Sequence, residues 1–149
     1  MTVTVAFERS HHITIDAPPQ AVFDYVTNPQ SWPEWIAVSH HVNSANRPLG
    51  KGETFSEKWF SREEIQLDWV VREADRPTRW VAQTGAGFIG PIVVQYDFEV
   101  TPQGTRYTRT VRNPARPKAP TEAMIARIDA EAAIALANIK TNVERRQVA

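Results

Sequence analysis

Two charged residues stand among apolar neighbours at alternating spacing, and any chemistry in this chain is sought there first. Glu57 lies between Phe55 and Trp59, and Arg109 lies between Tyr107 and Val111, each two positions from its neighbours. Every second side chain of an extended strand points to the same face, so both charges fall on the apolar side of their strands. A buried charge needs a partner or a polar ligand. A Glu57–Arg109 pair is therefore either a structural ion pair or the group that orients a bound molecule. A register displaced by one residue would instead put both on the solvent side. Arg109 is the stronger candidate, because a guanidinium can hold a carboxylate, carbonyl or enolate oxygen at two points. Tyr96 shares a face with Ile92, Val94 and Phe98, and a buried phenol seeks a hydrogen-bond partner. Arg109, Tyr96 and Glu57 are accordingly the catalytic candidates if the chain is an enzyme.

The histidine doublets His11-His12 and His40-His41 invite a metal reading that strand geometry opposes. Adjacent strand residues point to opposite faces, and no cysteine or carboxylate stands at zinc-ligand spacing, so no metal is expected. One ring of a pair can still face inward, with His40 or His41 acting as a base near neutral pH; a solvent-facing or edge histidine is the commoner outcome. The run Gly85 to Pro91 has the glycines of a nucleotide loop but no following helix to receive a phosphate. It reads as a mobile hairpin whose apolar tip, Phe88 and Ile89, either covers a cavity mouth or packs on a helix. No cofactor fingerprint is present.

The chain has 149 residues, one ordinary domain over 1–149, large enough to bury about two-thirds of its unfolded surface. Lysine plus arginine and aspartate plus glutamate balance at 17 each, which removes the overall field that attracts nucleic acid or anionic membrane. No stretch approaches the length of a membrane span, and the first residues lack a signal peptide's basic start and apolar core. A cytoplasmic protein with no nucleic-acid partner is expected. The absence of cysteine leaves no disulfide framework and no thiol nucleophile.

The elements that would position these residues follow from periodicity. Ile13 and Ile15 alternate with Thr14 as a half-buried strand does, and Asp16 stands where a carboxylate can accept the first helical N–H groups. Pro18 and Pro19 fit the first turn of a helix over 17–28, with Val22, Phe23 and Val26 on one face before Asn28-Pro29. Trp32 and Trp35 flank Pro33 and are too large and apolar for an idle turn, so they plug one end of a core or wall a pocket. Strands are then expected over 38–42, 53–60, 65–72, 79–84, 92–100 and 106–112, with turns of antiparallel type between them. The segment from Asn113 to Pro120 reads as a connector, since its three prolines cannot join a sheet interior. Thr121 can cap a long final helix in which Met124, Ile125, Ile128, Ala132, Leu136, Ile139 and Val143 form one apolar stripe.

Three segments carry a resemblance: IDAPPQAVFDYVTNPQSWPEW, LDWVVREADRPTRWVAQT and YDFEVTPQGTRYTRTV. With the order of elements, they make the chain similar to the START-like or SRPBCC superfamily, the polyketide cyclase/dehydratase-like proteins with a helix-grip fold. The resemblance implies an α+β fold in which a curved antiparallel sheet of about six to seven strands surrounds the long C-terminal helix. Between them it implies a cavity for a small apolar or aromatic, lipid- or polyketide-like molecule. Its lining is expected from Phe55, Glu57, Trp59, Trp69 and Trp80 in the earlier strands. Tyr96, Phe98, Tyr107 and Arg109 follow from the later strands, Trp35 and Phe88 from the loops, and Met124 and Ile128 from the helix. Most of the aromatic residues are core on the simpler view, with two reaching a ligand. Hydrophobic ligand binding is the first expectation; the alternative is an aromatase/cyclase or dehydratase acting on a poly-carbonyl chain. The oligomeric state stays open, a homodimer included.

Overall fold

The computed structural model describes residues 3–37, 39–60, 64–85 and 89–148. Seven strands form one antiparallel sheet: β1 (Val5–Ile15), β2 (Ser39–Asn43), β3 (Thr54–Phe60), β4 (Glu64–Asp75), β5 (Arg79–Thr84), β6 (Ile92–Thr101) and β7 (Gly104–Arg116). Their order across the sheet is β1-β7-β6-β5-β4-β3-β2, every neighbour antiparallel. Strands β2 to β7 are thus a meander, and the chain crosses between the two edges once, directly after β1. Helix α1 (Pro19–Val26) and a 3-10 helix (Pro29–Glu34) make that crossing, and helix α2 (Glu122–Gln147) closes the chain. This is an α+β helix-grip architecture: seven curved strands, short helices after the first strand, and a long C-terminal helix.

Alternation places the core as the sequence suggests. Ile92, Val94, Tyr96 and Phe98 are buried on β6, and Trp80, Ala82 and Thr84 on β5. Leu67, Trp69 and Val71 are buried on β4 before a bulge between Val71 and Glu73 shifts the register. The hairpin from β6 to β7 closes at Gly104 with φ +129°, and a Cβ there would come within 2.2 Å of the Ile15 carbonyl oxygen, so only glycine fits.

Four expectations need correction. Helix α1 starts at Pro19 rather than 17, and Asp16 does not cap it: the cap position is Pro18, and the Asp16 backbone N–H donates to Glu144 Oε2 at 2.8 Å. Pro19 at the first helical position has no N–H to satisfy, and the Ala21 N–H donates to the Pro18 carbonyl at 3.0 Å. Helix α1 ends at Val26, just before Asn28-Pro29, and a separate 3-10 helix follows. Asn28 Oδ1 accepts from Gln30 N at 3.1 Å and starts the 3-10 helix that carries Trp32.

The connector begins later than Asn113, because β7 continues to Arg116. There β6 has already ended, and a bulge in β1 between Val5 and Phe7 faces the proline, so no ladder donor is missed on either side. The stripe of α2 is not continuous in burial. Thr121 Oγ1 accepts from Met124 N at 3.1 Å as a cap, and Ala135, Leu136, Ile139 and Val143 are buried. In the first half Ile125, Ile128 and Ala132 are only half-buried, and Met124 is 42 % exposed. The C-terminal half is clamped by Asn142 Nδ2 donating to the Tyr25 hydroxyl at 2.9 Å and by Arg146 stacked 4.6 Å over that ring.

Candidate functional site

The 3-10 helix lays its two tryptophans against the concave face of the sheet. Trp32 is buried, donates Nε1 to the Val26 carbonyl at 3.0 Å, and meets Phe55, Trp69 and Trp80 edge-on at 5.2, 5.6 and 6.3 Å between ring centroids. Edge-to-face packing at these distances suits aromatic quadrupoles, and this cluster fills the middle of the grip. Trp80 is fixed further by donating Nε1 to the Leu49 carbonyl at 3.0 Å. Trp35 sits one turn on, its Nε1 donating to Ser31 Oγ at 3.1 Å, and its ring lies 6.4 Å from that of Tyr96 and 5.7 Å from the Arg109 guanidinium.

Cross-strand register explains this meeting. His11, Arg109, Tyr96 and Trp80 are successive partners across β1, β7, β6 and β5, so they form one row on one face. Tyr107 and Phe98 form the adjacent row, with rings 5.3 Å apart. Arg109 therefore rests against Trp35 with Tyr96 beside it. On β3, Glu57 is 1 % exposed, its Oε1 accepting from Trp69 Nε1 at 3.0 Å. Neither a hydrogen bond nor an ion pair joins Glu57 to Arg109, although the Arg109 charge reaches Glu57 through the interior. Both charges face inward, and they are not a closed structural pair.

Among the described residues, seven buried side-chain polar atoms have no partner at hydrogen-bond geometry: Ser39 Oγ, Glu57 Oε2, Trp59 Nε1, Tyr96 Oη, Tyr107 Oη, Arg109 Nε and Asn113 Nδ2. Ser39 and Trp59 are themselves cross-strand partners on β2 and β3 and lie beside Glu57, while Arg109 lies beside Tyr96. Burial pushes the Glu57 carboxyl above its ordinary range, while nearby Ser39, Trp59 and Trp69 and the Arg109 charge oppose that rise in part. Burial likewise pushes Tyr96 up to about 12, against the pull of Arg109, and Tyr107 well above its ordinary value. Arg109 lies near enough to Tyr96 to favour its ionised form, yet the pair does not meet hydrogen-bond geometry. Both phenols thus keep their protons at neutral pH.

Near the row of Arg109, α2 is tied to β1 by Asp129. Its carboxylate takes a two-pronged bond from Arg9, with Nε at 3.0 Å, and a contact from His11 Nε2 at 2.8 Å. The hydrogen bonds from Arg9 and His11, Arg9 first, hold the Asp129 carboxyl down to about 2.

Of the residues named from sequence, Trp35, Phe55, Glu57, Trp69, Trp80, Tyr96, Phe98 and Tyr107 are buried on the concave side; Trp59, Arg109 and Ile128 are half-buried. Met124 stands apart, its sulfur accepting from Arg116 at 3.4 Å near the exposed start of α2. Phe88 and the His40 side chain lie outside the described residues, and His41 is exposed. No group of three metal-ligating side chains occurs among the described residues. Sequence reasoning placed Trp32 at one end of a core or in a pocket wall and not at the centre of the cluster, and it passed over Ser39 and Asn113. His11 was weighed only as half of a histidine doublet, although it falls two residues before Ile13 on the same face. Asn113 falls four after Arg109, but was absorbed into the connector. Two surface grooves, one beside the β6–β7 turn and one on the outer side of β3 and β4, do not include Glu57 or Arg109.

No helix among the described residues is long and apolar enough to cross a membrane. No curated protein matches the sequence. Among solved structures, Ara h 8.0201 aligns with a TM-score of 0.70 at 12 % identity over 93 % of this chain and 98 % of its own. The protein of unknown function SA2116 from Staphylococcus aureus gives 0.75 at 10 % over 98 % of each. The di-domain ARO/CYC StfQ from the steffimycin biosynthetic pathway gives 0.77 at 12 %, over 97 % of this chain and 53 % of that one, so this chain spans about half of it. At such identities the likeness carries the fold alone. Residues 4–144, however, match the family described as polyketide cyclase / dehydrase and lipid transport, and the chain therefore belongs to that family, within the START-like or SRPBCC superfamily.

Proposed function

We propose that the chain is one ligand-binding domain that takes a small apolar or aromatic, oxygen-bearing molecule between the concave sheet and the first half of α2. The observation that carries this is the set of seven unpartnered buried polar atoms on β2, β3, β6 and β7, set among aromatic rings. A protein interior ordinarily satisfies such groups, and each left alone costs stability. Arg109 and the two phenols address a ligand oxygen, and Trp35, Trp59 and Tyr96 supply flat apolar walls. Native mass spectrometry of freshly purified protein tests the reading, together with titration of an aryl ketone probe. A retained or titrated ligand whose affinity falls in Arg109→Met supports it; no bound molecule and no binding by any ring-sized probe rejects it.

A second reading, an aromatase/cyclase or dehydratase acting on a poly-carbonyl chain, draws on the kinds of atom in the set. Trp59 Nε1, Arg109 Nε and Asn113 Nδ2 can only donate, and the three hydroxyls, protonated at neutral pH, donate readily. Only Glu57 Oε2 is an obligate acceptor, and only when ionised. An interior so rich in donors suits a ligand carrying several carbonyl oxygens. Donors fixed where a carbonyl oxygen becomes negative would also stabilise an enolate. Incubation with a synthetic poly-β-carbonyl thioester separates the readings: a changed distribution of cyclised products marks the enzyme, and unchanged products with tight binding mark the carrier.

A further inference from the structure

We propose that β1 pairs antiparallel with β1 of a second copy of this chain, about a two-fold axis through Ser10, and so joins two sheets in a homodimer. The proposal concerns the edge of the sheet and stands apart from the ligand-binding reading.

Seven strands in a row leave two edges, β1 and β2, and an uncovered edge is a template for another strand. The β2 edge is blunted. It has five residues, a bulge between Ser39 and His41, and carbonyls at Val42 and Ser44 that accept from Gln30 Nε2 at 3.1 and 3.0 Å. Strand β1 has eleven residues and is blunted only at its ends. At one end lies the bulge between Val5 and Phe7; at the other Lys140 Nζ donates to the Thr14 carbonyl at 3.2 Å, and Glu144 accepts from the Asp16 N–H. The Thr14 carbonyl therefore faces away from β7. Alternate residues of an antiparallel strand turn both backbone groups to the same side, so those of Glu8, Ser10 and His12 also face outward. Among the described residues no strand lies on that side, and all three residues are exposed. The open run is 7–13, and its centre is Ser10.

The sequence of that run complements itself when reversed about its centre. Glu8 falls opposite His12 of the second copy, Phe7 opposite Ile13, and Ser10 opposite itself. Charged side chains on an edge strand ordinarily repel another copy, but here an imidazole N–H meets a carboxylate twice. Arg112 Nε donates to Glu8 Oε1 at 2.6 Å, which leaves Oε2 for the second copy. Phe7 and Ile13, both half-buried, make the apolar contact on the other face. Arg9 falls opposite His11, and each is already bonded to Asp129 of its own subunit, so a carboxylate stands beside each facing pair of basic groups. Moving the axis to Arg9 or His11 loses both Glu8–His12 pairs and runs the strands into the bulge or the Lys140 cap.

Sedimentation equilibrium should give a reversible dimer with Kd on the order of 10–100 µM, since one strand per subunit makes a small interface. Ser10→Cys introduces the only thiol into a chain without cysteine. Residues paired on the axis have Cα atoms about 5.5 Å apart, within disulfide reach, so mild oxidation should link the variant into dimers. Thr14→Cys, four residues from the axis, should stay unlinked. His12→Glu sets carboxylate against carboxylate and should raise Kd about tenfold. Adding Glu8→Lys to it should restore the dimer, a rescue that two independent structural losses would not produce. Each substituted side chain is exposed, and circular dichroism checks that the fold is kept. A monomer at every concentration, equal linking of the two cysteine variants, or a dimer indifferent to His12→Glu overturns the proposal.

Discussion

Replacing Arg109 with methionine should weaken ligand binding and leave the fold as stable as before or more so. Arg109 is half-buried, its Nε has no partner at hydrogen-bond geometry, and its guanidinium approaches the Trp35 ring at 5.7 Å. An unpartnered buried donor costs roughly 1–3 kcal/mol, whereas a cation over an aromatic ring at a partly exposed site returns about 0.5–1 kcal/mol. Methionine keeps most of the apolar stem and removes the orphaned donor, so the net change is a gain of roughly 0–2 kcal/mol, or about 0–8 °C in Tm for a chain of this size. A hydrogen bond from a charged donor to a ligand oxygen contributes about 1.5–3 kcal/mol, so Kd should rise roughly ten- to a hundred-fold. Urea unfolding gives the first quantity and calorimetric titration of an aryl ketone gives the second. A variant that loses roughly 2 kcal/mol or more while Kd stays fixed would refute the reasoning, because Arg109 would then be a structural group and not one held for a ligand.

Tyr96→Phe and Tyr107→Phe should follow the same pattern at smaller amplitude, each neutral to stabilising in urea unfolding, since each hydroxyl is buried without a partner. Glu57→Gln should show a pH-dependent benefit. With the folded pKa raised by burial, the neutral acid is favoured in the fold, and its contribution is fully present below pH 4.5 and lost as pH rises through the folded value. The variant should therefore match wild type near pH 4 and exceed it toward pH 8, by about 1.4 kcal/mol for each pH unit of elevation; a gap independent of pH refutes this. Trp32→Ala should cost roughly 3–5 kcal/mol in urea unfolding, because it empties the centre of the aromatic cluster and strips the Val26 carbonyl of its donor. Asp129→Asn releases the first half of α2 from Arg9 and His11 and should raise both on- and off-rates of a fluorescent apolar probe in stopped flow, with little change in Tm; unchanged rates would show that α2 does not gate the site.

How far this could be read without coordinates depends on the kind of interaction. The inward face of each strand was legible because alternation is a local rule: Glu57 and Arg109 fell between apolar neighbours, and register then carried them to the concave side. Capping at Thr121 was legible for the same reason. What local rules cannot supply is the meeting of distant segments. Trp35 reaches Arg109 only because the chain crosses from one sheet edge to the other directly after β1, and no spacing within either segment records that. The half-exposed start of α2 also escaped the periodicity, since the helix carries a full apolar stripe and burial depends on what faces it. That mismatch bears on function. Ile125, Ile128 and Ala132 keep apolar character where the helix is not fully packed, while Asp129 between them binds β1 through Arg9 and His11. A helix needed only for stability would gain by burying that half as it buries Leu136 and Ile139. On the reading proposed above, a ligand inserted beside that half would cover the exposed stripe and meet the unpartnered donors together.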